Sequence, residues 1–183
     1  DAVWWFVLLW MPDFFNRMFG MGQADLGWPI AIIFTLAALG AVTSGALFPL
    51  LLSRGLTTNA ARKSSMLFYA LAVVAMPLAL LTQSPWMAAV LIGAGLFAHQ
   101  GFSTNIFGMT ADIVPATRVA TVISLGAVAG NLAGTGIIEA AGWSLQEGHG
   151  YAPLFVYCGV AYLAALALIH ALLPSLQPAL AED

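Results

Sequence analysis

The stretch PIAIIFTLAALGAVTSGALFPLLL, residues 29–52, contains no charged side chain, and its only polar groups are hydroxyls. At 1.5 Å per residue it is long enough as a helix to cross a hydrocarbon core of ~30 Å. An apolar run of this length reads as a transmembrane helix, because a backbone in lipid must satisfy its own hydrogen bonds. Outward from it the same character repeats. Polar punctuation divides the chain into apolar spans expected at about residues 3–20, 29–52, 65–81, 86–107, 119–141 and 151–173. They are too long and continuous for the ten-residue alternation of a membrane barrel. The expected fold is therefore all-α, a polytopic six-helix transmembrane bundle in one domain, residues 1–183.

Composition agrees. Of 183 residues, 61% are hydrophobic and 7% are charged, and mean hydropathy is +0.93. Five Lys or Arg and eight Asp or Glu are too few to cover a water-facing surface, so the lipid bilayer is the expected partner of most of it. The scattered basic residues form no nucleic-acid patch. The single cysteine, Cys158, excludes a disulfide framework and leaves no metal-ligand spacing. Residues 1–10 lack the basic start and small-residue cleavage site of a signal peptide and read directly into a span, so the chain looks cut from something longer.

Orientation follows from the bases. Arg54, Arg62 and Lys63 lie between the second and third spans and Arg118 between the fourth and fifth, whereas Arg17 alone lies on the other side. The excess places those two loops, and both ends of the segment, in the cytoplasm. Pro12 and Pro49 interrupt their spans and are expected to kink them. Gly126, Gly130 and Gly134 form a stripe along the fifth span that lets a neighbouring backbone approach closely.

The polar residues at membrane depth are the candidates for function. In FAHQGFSTNIFGMTAD, residues 97–112, Gln100, Ser103 and Thr104 are spaced i, i+3, i+4 with Phe107 on the same side. An amide, two hydroxyls and an aromatic ring suit a hydroxylated ligand such as a sugar. The competing account has the hydroxyls bonding their own helix and Gln100 joining helices. His99 lies beside this face and is read as a proton or ligand contact, or as a structural hydrogen-bonding group. Asn131 near the middle of the fifth span carries the same two readings. Asp13 and Arg17, spaced i, i+4, are expected to pair. With Asp13 near mid-span, Arg17 is also the one cation positioned to meet an anionic substrate. Asp112, ahead of Pro115, is expected at the cytoplasmic interface against a loop base. Arg54, Arg62, Lys63, Asp112 and Arg118 together form the cytoplasmic loop support.

WWFVLLWMPDFF, TTNAARKSSML, GLFAHQGFSTNIFGMTADIVP and SLGAVAGNLAG resemble the C-terminal half of hexuronate transporters, in the anion:cation symporter branch of the major facilitator superfamily. The resemblance implies twelve helices in two halves, with these six as the seventh to twelfth. It implies uptake of a sugar acid such as galacturonate or glucuronate by alternating access, with the proton as coupling ion and no other cofactor. Gln100, Ser103, Thr104 and Asn131 then fall on cavity-lining positions, and the N-terminal six-helix half becomes the partner. The loop SRGLTTNAARK keeps its bases but lacks the acidic residue of the superfamily's Gly-x-x-x-Asp-Arg signature.

Two other classes are open to test. An intramembrane protease needs a Gly-x-Ser-Gly nucleophile, and neither Ser103, followed by Thr104, nor Ser44, preceded at two residues by Val42, provides it. No enzyme activity is expected. A non-transporting six-helix packing or interaction protein, or a carrier of another organic anion, is the remaining alternative.

Overall fold

The computed structural model describes residues 1–176 and is all-α. Six helices follow one another: α1 (Ala2–Phe19), α2 (Gly27–Ser53), α3 (Thr58–Val73), α4 (Pro85–Ile113), α5 (Ala116–Gln146) and α6 (Ala152–Leu172). Five candidate membrane spans result, since α3 continues through a 3₁₀ turn at Met76–Leu80 to make the span Thr58–Leu80. Pro77 inside that turn has no N–H for a helical bond, which accounts for the break. The chain is thus an integral multi-pass membrane protein by its helix composition. α1 is long enough but not apolar enough to count with the other five, because Asp13, Asn16 and Arg17 fall in its second half.

Helix ends are set by local chemistry. Gly20, at φ 66°, closes α1 in the left-handed conformation that glycine adopts without strain, its N–H bonding the Asn16 carbonyl. Thr57 accepts from Ala60 N at the start of α3, which begins well before the expected residue 65. Ser84 does the same for α4, whose first residue is Pro85. α4 runs past the expected residue 107 to Ile113 and stops at Val114, extended ahead of Pro115. Pro12 and Pro49 both lie inside continuous helices.

α4 is the buried centre. Its glycines take the neighbours' closest approaches: a Cβ at Gly93 would overlap Leu36, one at Gly95 Met76, and one at Gly101 the Tyr69 ring. On α2, Gly40 sits directly against the Phe97 carbonyl of α4. α1 and α6 meet through an aromatic cluster of Phe6, Phe14, Tyr151 and Phe155. α5 is different. It packs chiefly along α1 and buries only Gly134, Ile137, Ala141 and Ser144, leaving Leu125 and Leu132 about two-thirds exposed to lipid or to another partner.

Candidate functional site

The polar middle of α4 does not act as one face. At 100° per residue, Gln100, Ser103 and Thr104 span an arc of roughly 100°, and that arc straddles the edge between the α2 contact and an open cavity. Ser103 and His99 line the cavity; Gln100 and Thr104 do not. The Thr104 hydroxyl turns back to donate to the Gln100 carbonyl at 2.8 Å, a one-turn bond that uses its proton and leaves its oxygen able to accept. Gln100 is half-buried, and its side-chain amide has no hydrogen-bond partner among the described residues. An amide at mid-helix depth with its donors and acceptor open calls for a ligand, water or another protein surface.

The cavity, about 520 Å³, lies between α4, α5 and α6 where the first turn of α1 ends. Its walls are mainly apolar. His99 at its edge is buried, with Nδ1 2.6 Å from the Tyr162 hydroxyl of α6, and its ring is stacked on Trp4 of α1. Both partners hold the imidazole in place, so it is a junction of three helices. No Arg or Lys lines the cavity.

Asn131 is exposed on α5, where its Nδ2 donates to the Ala127 carbonyl of its own helix at 2.8 Å. Gly130 and Gly134 of the same stripe lie against Asp1 and Trp5 of α1, whereas Gly126 faces open space. No hydrogen bond joins Asn131 to Gln100 among the described residues.

Arg17 and Asp13 pair at 2.6 Å, and Asp13 also accepts from the Tyr151 hydroxyl at the start of α6. Asp13 lies six residues before the last residue of α1, beside the start of α6, because Tyr151 directly precedes that helix. Arg17 is more than half exposed and lies away from the cavity.

The opposite end of the bundle holds the most extensive polar cluster, and its central residue was not singled out from the sequence. Asn105 of α4 is fully buried, with Nδ2 2.9 Å from Ser44 of α2, 3.0 Å from Ser65 of α3 and 2.9 Å from the Gly101 carbonyl. Arg62 reaches its Oδ1 at 3.5 Å, bonds Asp112 at 2.8 Å and lies over the Phe48 ring at 3.4 Å. Ser44, Ser65 and Asn105 each directly follow another polar residue, Thr43, Ser64 and Thr104, so no sequence signal sets them apart. Lys63 donates to the Leu173 and Pro174 carbonyls at 2.6 and 2.8 Å, capping the C-terminus of α6. Arg54 and Arg118 are exposed at the ends of α2 and α5.

The described residues thus form a membrane helix bundle with an unpartnered amide in the middle of α4 and a cavity between its helices. No family model matches the chain. Over 168 residues, 92% of its length, it is 27% identical to a D-galactonate transporter of Escherichia coli O6:H1 (strain CFT073), covering 37% of that protein. Over 181 residues, 98% of the chain, it is 25% identical to hexuronate transporters of Escherichia coli strains K12 and O157:H7, covering 41% of each. The chain is thus a distant homologue of sugar-acid transporters and spans about two-fifths of the length of these relatives.

Proposed function

We propose that the chain is one six-helix half of a major facilitator transporter that takes up hexuronates, galacturonate or glucuronate, or a related sugar acid, with protons. It works by alternating access together with an N-terminal six-helix half. The observation that carries this reading is that the alignment to sugar-acid transporters runs through all six helices. The open amide of Gln100 supports it, since a sugar hydroxyl or carboxylate would satisfy that group. So does Asn131, whose Oδ1 is left open by the bond its Nδ2 makes. The bases Arg54, Arg62, Lys63 and Arg118 favour a cytoplasmic position for their end of the bundle, in the cell inner membrane.

The test is uptake of labelled galacturonate, glucuronate and galactonate by cells lacking their own sugar-acid carriers and expressing the complete protein. Accumulation that collapses with a protonophore is expected. Normal membrane insertion with no uptake of any of the three would overturn the sugar-acid reading and turn attention to other organic anions.

A further inference from the structure

We propose that the groove between the starts of α2 and α4 binds the head group of a membrane phospholipid that ends in an ammonium, with Asp25 as its counter-charge and Trp28 and Trp86 as aromatic walls. The register of the two helices brings these walls together. Leu36 lies against Gly93, Gly40 against Phe97, and the Ser44 hydroxyl donates to the Gly101 carbonyl, so α2 and α4 run parallel at a constant offset of 57 residues. Carried back to the helix starts, that offset sets Trp28 level with Pro85, and Trp86 follows directly. The two indoles are 75% and 50% exposed and line one groove of about 920 Å³ together with Phe19 and Asp25.

The groove stands at head-group depth. α2 has 27 residues and α4 has 29, about 40 Å at 1.5 Å per residue against a hydrocarbon core of ~30 Å. The excess length, with a Trp in each first turn, puts these turns in the interfacial layer where indoles concentrate. Further along the same helices Ala31, Met87 and Val90 are exposed and apolar, a path for the acyl chains. Charge then selects the head group. Asp25, on the short 3₁₀ turn Gln23–Asp25, accepts the Gly22 N–H on one oxygen at 3.2 Å. Its other oxygen has no partner, and no cation pairs with it among the described residues. No Arg or Lys lines the groove, so an anionic head group or a sugar acid would meet only repulsion. A primary ammonium, as in ethanolamine, meets two indoles and can donate an N–H to the open carboxylate oxygen.

This inference needs the membrane-spanning helices and neither the substrate nor the coupling ion. The test places the complete protein in phosphatidylglycerol vesicles containing a minor share of phosphatidylethanolamine with a photoactivatable group at the top of one acyl chain, and maps the label on peptides. Labelling of Met87 and Val90 is expected to exceed that by an otherwise identical phosphatidylglycerol probe about fivefold, the equivalent of one cation–π contact at a wet site. Asp25→Asn, which keeps an oxygen for the Gly22 N–H, should abolish that preference with unchanged melting. Trp28→Ala should weaken it, and Trp28→Phe should retain most of it. Equal labelling by the two probes, or a preference that survives Asp25→Asn, would overturn the proposal. Absence of label from both probes would show the groove covered by protein in the complete carrier and would overturn it as well. Full displacement of the probe by ethanolamine in the water phase would assign the groove to a soluble ammonium, against a lipid. Each readout is independent of transport, so a failed uptake assay leaves this test standing.

Discussion

The Tyr151 hydroxyl at the start of α6 donates to the same carboxylate oxygen of Asp13 that accepts Arg17 Nε. Two donors on one oxygen satisfy the acid without a ligand. Tyr151 is the inner partner and Arg17 the exposed one, so the phenol carries most of the stabilisation. Tyr151→Phe is expected to lower stability by about 1.5 kcal/mol, read as thermal unfolding in detergent. Arg17→Gln should change neither melting nor the sugar-acid concentration for half-maximal uptake. A rise in that concentration with normal melting would instead make Arg17 a substrate contact.

Gly40 and Gly45 lie on the same helix in opposite situations. A methyl at Gly40 would collide with the Phe97 carbonyl, while one at Gly45 meets nothing within 4 Å. Gly40→Ala is expected to cost about 3 kcal/mol through forced separation of α2 from α4. Gly45→Ala should be neutral or stabilising by about 0.5 kcal/mol, from the lower helix propensity of glycine. Equal melting temperatures for the two variants would refute the close α2–α4 packing.

Asn105→Ala removes the amide shared by α2, α3 and α4 and strands the Ser65 hydroxyl and part of the Arg62 guanidinium. A loss of about 2–3 kcal/mol is expected from the unsatisfied groups. Ser65→Ala in the Asn105→Ala background should then cost much less than in the parent protein. Additive losses in that double-mutant cycle would show that the two side chains are not coupled.

Gln100→Ala in the complete protein is expected to raise the half-saturating sugar-acid concentration about fivefold, the equivalent of one neutral hydrogen bond of ~1 kcal/mol. Melting should be unchanged, since the amide has no hydrogen-bond partner among the described residues. Asn131→Ala should act in the same direction. Its Nδ2 bond is to its own helix, so a stability loss without an uptake defect would mark it as structural.

Apolar run length was enough to read the helices from the sequence, because lipid permits few other backbone states. The partners of the polar groups were not legible. The spacing of Gln100, Ser103 and Thr104 indicates a common side of α4 but not that α2 occupies one edge of it. The i, i+4 spacing gives the Asp13–Arg17 pair, but not the second donor to Asp13, Tyr151, which is distant in sequence. The glycine stripe pointed to close packing on α5, and Gly130 and Gly134 show it, yet no periodicity names Trp5 and Asp1 as the groups received. Asn105 went unnoticed because its importance depends on Ser44 and Ser65 arriving from two other helices.

The pairing of α1 with α5 has a consequence for how the chain is made. α1 has few contacts with α4, and its main neighbour begins only at Ala116. At a synthesis rate of about 5–20 residues per second, α1 waits on the order of ten seconds for that neighbour to emerge. Through that interval a helix with Asp13 and Arg17 in its second half sits in the bilayer without Tyr151. The Asp13–Arg17 pair, a single turn apart and complete as soon as α1 is, keeps both charges matched during the delay. Its value to the protein is then greatest during biogenesis, before the fold exists to need it.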